Sequence, residues 1–97
     1  MDNDTKMLQE MGEAVIALQV KYRNSSLRDR MAMKPALEEL LYDYADLQMR
    51  LIKEGVVTTD QDLEEMEEIK NEIEKAAKQE ALLKVVARTI AFIATKV

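Results

Sequence analysis
Apolar residues recur at three- and four-residue steps through almost the whole chain, and the places where that rhythm fails divide it. Met7, Leu8, Met11, Ala14, Val15, Leu18 and Tyr22 share one face of a helix over about 4–22. Asp2 or Asp4 is placed to cap it, because a carboxylate there accepts the free backbone N–H groups of the first turn. Asn24, Ser25 and Ser26 interrupt the pattern, and Ser26 followed by Asp29 is a capping signal for what comes next.

The second helix spans about 26–54. Pro35 lacks an N–H and crowds the preceding turn, so the helix is expected to be kinked or split there. Its main stripe is Leu37, Leu40, Leu41, Tyr44, Leu47, Gln48 and Leu51, and Tyr42, Ala45, Met49 and Ile52 widen the apolar arc. An arc that wide suits a helix with two neighbours. Gly55 ends it. The turn "VVTTDQD" follows, with Thr58 or Thr59 as the next cap.

From Asp60 to Val97 there is neither Gly nor Pro, so the pattern predicts one helix over 59–96, about 55 Å long at 1.5 Å per residue. Its halves differ. Residues 60–80 hold only six apolar residues in a narrow stripe (Leu63, Met66, Ile69, Ile73, Ala76, Ala77), whereas residues 81–97 hold twelve. Leu83, Val86, Ala87, Ile90, Ile93, Ala94 and Val97 continue the core face, with Val85 and Phe92 on the other side. The second helix, folding back from Gly55, would cover the third only to about residue 87. Ile90, Phe92, Ile93 and Val97 would then be overhung, and burying such side chains is worth about 1.5–3 kcal/mol each.

The expected fold is therefore all-α: one domain, a helical bundle of three main helices per chain with a long C-terminal helix, completed by a second chain. A twofold homodimer is the simplest cover. The expected interface is Leu82, Val85, Ile90, Phe92, Ile93 and Val97, joined by Ile16 and Val20, which lie off the core face of the first helix. Tyr42 and Met49 point the same way. A different protein partner ranks second. A membrane surface ranks third, through the C-terminal amphipathic helix, whose residues 81–97 carry +3.

Composition narrows the chemistry. The chain has 97 residues, no Cys, no His and no Trp. Thiolate metal sites are excluded, and the commonest general base is missing. The net charge is −5, concentrated as −6 over residues 60–80. A nucleic-acid binder usually carries a basic surplus, so nucleic acid is not expected as a partner. Neither a signal peptide nor a span of about 20 apolar residues is visible, which suits a cytoplasmic protein.

Two acidic sets could in principle serve a metal-dependent hydrolase. Asp60, Glu64, Glu68 and Glu72 lie one turn apart on the third helix, and Glu38, Glu39, Asp43 and Asp46 lie on the second. Neither has a His partner nor the paired carboxylate spacing of helical nucleotide pyrophosphatases, and solvated charged faces explain them more simply. Lys21, Arg23, Arg28, Arg30 and Lys34 gather about the first turn and could face the acidic 60–72 segment of another copy. Seven Met residues read chiefly as core filling. The expectation is a small non-catalytic interaction or scaffold protein without a cofactor.

Overall fold
A computed structural model describes residues 2–55 and 58–97. Val56 and Val57, part of the predicted second turn, lie outside the described residues. The described chain is all-helical: α1 (Asn3–Arg23), α2 (Leu27–Lys53), α3 (Asp60–Lys75) and α4 (Gln79–Ala94). The caps are those the sequence suggests. The Asp2 carboxylate accepts from the Thr5 N–H at 2.7 Å. The Ser26 hydroxyl accepts from the Asp29 N–H, and Thr59 and Asp62 form a reciprocal capping box. Gly55, at φ +73°, takes the left-handed conformation that closes α2.

The helices alternate in direction. Asn3 of α1 bonds to the Thr58 carbonyl and to Asp60, and Lys96 bonds to Asp62, so the start of α1, the start of α3 and the end of α4 share one end of the bundle. Lys21 reaches the carbonyls of Glu74 and Ala76 at the opposite end. α2 sets the length: its 27 residues come to about 40 Å at 1.5 Å each, against a longest extent of 39 Å. α1 packs on α2 and α3, and α4 packs on α2 and α3. The core between them holds Met7, Met11, Leu40, Leu47, Met66, Ile69, Ile73 and Ile93, all nearly inaccessible. Gly12 admits a close approach of α2 to α1: a Cβ there would lie 3.2 Å from the Tyr44 hydroxyl oxygen.

One expectation about the helices changes. α2 is not split at Pro35, which sits on its exposed side, where water can serve the Met31 carbonyl that the missing N–H would otherwise bond. The single helix over 59–96 is instead two, broken at Ala76, Ala77 and Lys78, so the described residues form four helices and not three. Burial overrides local propensity there. Folding α4 back sheathes Leu82, Val85, Val86, Thr89, Phe92 and Ile93 against the rest of the chain. At about 1.5–3 kcal/mol for each large apolar side chain, this outweighs the few backbone hydrogen bonds lost at the break, about 1 kcal/mol apiece. The buried Thr89 is satisfied locally, its hydroxyl donating to the Val85 carbonyl at 2.7 Å.

An ion pair fastens the end of α4. Lys96 Nζ lies 2.6 Å from Asp62 Oδ1, with both side chains largely buried. Burial pushes the Asp62 carboxyl up, but the Lys96 ammonium and the Thr59 backbone N–H together hold it below its ordinary value of 3.8. The unfolded chain therefore takes up this proton at a higher pH than the folded one. The stabilisation is complete above the ordinary value and is lost as pH falls through the folded one. We expect stability to decline from about pH 4 downward, and Lys96→Met to flatten that decline. Urea unfolding followed across the acid range checks this; an unchanged acid limb in the variant would assign it to other carboxylates.

Candidate interaction surface
The eight residues expected at an interface separate into two groups. Leu82, Val85, Phe92 and Ile93 are buried inside their own chain, and Ile90 is half-buried against the same core. The break at 76–78 is the reason: it removes the overhang, so these five need no second chain to cover them. Ile16, Val20 and Val97 remain exposed. The interfacial membrane reading relied on the same apolar side of α4, which faces the core. Among the described residues no helix is long and apolar enough to cross a membrane.

The widest apolar exposure lies on the outer face of α2. Tyr42 is 80% exposed, Ile52 69% and Met49 55%. Ala45 is exposed between them. Tyr42, Ala45, Met49 and Ile52 are separated by three, four and three residues, the spacing of a coiled-coil seam. The same helix buries Met33, Leu37, Leu40, Leu47 and Leu51 on its other side. α2 thus carries two apolar stripes, and the bundle uses only one. The outer strip stops toward the N-terminus at Glu38, which lies 3.9 Å from Lys34. Beside the strip, Asp46 and Arg50 pair at 3.5 Å, while Glu39 and Lys53 flank its two ends. Of this strip the sequence marks Tyr42 and Met49 as surplus apolar surface, secondary to the tail, and gives Ala45 and Ile52 only as part of a wide arc.

A second, smaller apolar feature borders Val20. Ala14, Ala17 and Ile73 floor a groove of about 570 Å³ between α1 and α3, rimmed by Glu13, Lys70 and Glu74. Its rim is already paired: Lys70 lies 2.7 Å from Glu10 and 3.0 Å from Glu13. Those carboxylates, Glu10 foremost, outweigh burial and raise the Lys70 ammonium above its ordinary value.

The charged clusters are absorbed in the same way. Arg88 of α4 pairs with Glu68 at 2.8 Å and also with Glu72, and Glu68 is the main cause of its raised pKa. Two of the four ladder carboxylates, Glu68 and Glu72, are thus met by the chain's own tail, and Asp60 accepts from Asn3 of α1. The basic first turn lies beside Ala76, Ala77 and Leu82. Lys21 there is spent on the end of α3, and the buried Arg30 Nε has no hydrogen-bond partner among the described residues. No group of three or more Asp or Glu among the described residues is gathered closely enough to hold a metal ion.

Compared with protein families, curated proteins and solved structures, the chain matches none.

Proposed function
We propose that this chain is a small interaction protein that pairs with a second copy of itself through the outer strip of α2. The observation that carries the reading is the uncovered seam Tyr42, Ala45, Met49 and Ile52 on a helix whose opposite face is already satisfied. A monomer gains nothing from three large apolar side chains in water at heptad spacing, and a matching strip would bury them.

Register supports the pairing. When two strips run antiparallel, Tyr42 meets Ile52 at the ends and the small Ala45 meets the long Met49 in the middle. Glu39 of each copy then lies toward Lys53 of the other, and opposite charges at flanking positions fix orientation. The strip covers about 15 Å of helix. An interface that short makes a reversible pair and not an obligate one.

Sedimentation velocity over a wide concentration range tests it. The wild-type chain should pass from monomer to dimer as concentration rises. Tyr42→Glu with Met49→Glu should remain monomeric throughout and keep its helical circular dichroism, because both residues point away from the core. A wild-type protein that stays monomeric at every concentration, or a double variant that dimerises as well as wild type, would overturn the reading.

A further inference from the structure
The link between α3 and α4 is made of residues that favour the helix it interrupts. Ala76, Ala77 and Lys78 include no Gly and no Pro, and Ala and Lys are strong helix formers. Yet Ala76 (ψ 118°) and Lys78 (ψ 156°) are extended. The start of α4 also lacks the side-chain cap that Asp2, Ser26 and Thr59 give the other three helices. One side chain from elsewhere holds the break. The Lys21 ammonium donates to the carbonyls of Glu74 at 2.9 Å and Ala76 at 2.5 Å. In a continuous helix those two carbonyls would accept from the backbone N–H groups of Lys78 and Glu80. Lys21 therefore substitutes for the helix's own donors.

We infer that α3 and α4 can open into one continuous helix and exchange α4 between two copies of this chain, the groove that holds α4 in one copy taking α4 of the other. The geometry of the hairpin permits it. α4 lies antiparallel to α3, with Arg88 against Glu68 and Glu72, and Lys96 against Asp62. Two opened rods lying side by side in opposite directions recreate each of these pairs between chains. They also rebury Leu82, Val85, Phe92 and Ile93 in the same surroundings. Core contacts thus cancel between the closed monomer and the exchanged dimer. What differs is the link: opening restores the backbone hydrogen bonds of a continuous helix, releases Lys21 and costs the freedom of a second molecule. A short link whose own preference opposes its conformation is the kind that exchanges.

The exchange uses none of the outer strip of α2, so Tyr42→Glu with Met49→Glu leaves it intact and the two dimers fail independently. The test is to concentrate the protein in moderate urea, return it to buffer and size it. Wild type should yield a slowly exchanging dimer, and Lys21→Met should raise its fraction severalfold. Gln79→Pro should cut it at least tenfold. Gln79 is the first residue of α4, where Pro fits, and Lys78 before it is already extended as Pro requires. In a continuous helix the same Pro would clash with the preceding turn.

A distance measurement separates exchange from any other dimer. The chain has no Cys, so spin labels on Glu64→Cys and Ala91→Cys, both exposed, report one pair. In labelled chains diluted with unlabelled ones, the separation should move from that of neighbouring helices, about 10 Å apart at their axes, to about 40 Å in the dimer. A dimer in which the labels stay close would overturn the inference. So would a Gln79→Pro protein that dimerises as readily as wild type, or a Lys21→Met protein that forms no dimer.

Discussion

Phe92→Ala should remove about 3–5 kcal/mol of folding stability, the range for truncating a buried aromatic side chain. A domain of this size has about 5–15 kcal/mol in total, so the variant loses a large share and sits near the edge of folding. Phe92 is 3% exposed and its neighbour Ile93 is fully enclosed. The cavity would open inside the chain's own core, so the loss should not depend on protein concentration. Ile16→Ala is the matched comparison: Ile16 is 60% exposed, and its removal should change stability by less than about 0.5 kcal/mol. Urea unfolding at two concentrations reads both. If Phe92→Ala left the monomer unharmed but abolished association, the tail would belong to an interface after all.

Lys21→Met should cost about 1.5 kcal/mol, the low end of the range for a charged hydrogen-bonding group, because its bond to the Ala76 carbonyl is part-buried and its bond to the Glu74 carbonyl is exposed. Its ammonium serves two carbonyls at the end of α3, where a positive charge also complements the helix dipole. Met keeps much of the aliphatic stem, so the measured loss isolates the head group. Arginine at this position retains the charge and should recover part of the stability. A loss under about 0.5 kcal/mol would mean that solvent serves those carbonyls equally well.

The sequence carries the helix starts plainly because capping is local. Asp2, Ser26 and Thr59 each hold an oxygen within reach of an N–H three residues on. The break at 76–78 is not local, and no residue in it announces a stop. Lys21, its fastening, is more than fifty positions away. One signal was nevertheless present. The stripe of Met66, Ile69, Ile73 and Ala76, carried on in phase, lands on Glu80, Leu83, Ala87, Ile90 and Ala94. The buried set is Leu82, Val85, Val86, Thr89, Phe92 and Ile93, one step out of phase. A carboxylate on an extrapolated core position marks a slip between two helices.

The outer surface was legible in part. Tyr42 and Met49 stand out in the sequence, but one rod over 59–96 would leave the tail uncovered too and rank it first. The spacing of Tyr42, Ala45, Met49 and Ile52 was visible as a broad arc on the second helix. Breadth alone does not say whether an arc faces two neighbours in its own chain or one neighbour and water. Where α4 settles decides that, and it settles on the inner stripe.

The close approach at Gly12 ties two distant positions into one evolutionary unit. With 3.2 Å between a would-be Cβ and the Tyr44 oxygen, a methyl at position 12 asks the phenol at 44 to give by a few tenths of an ångström, and loss of its hydroxyl removes that demand. Changes at the two positions are therefore coupled in descendants of this chain: what a methyl at 12 costs depends on what stands at 44.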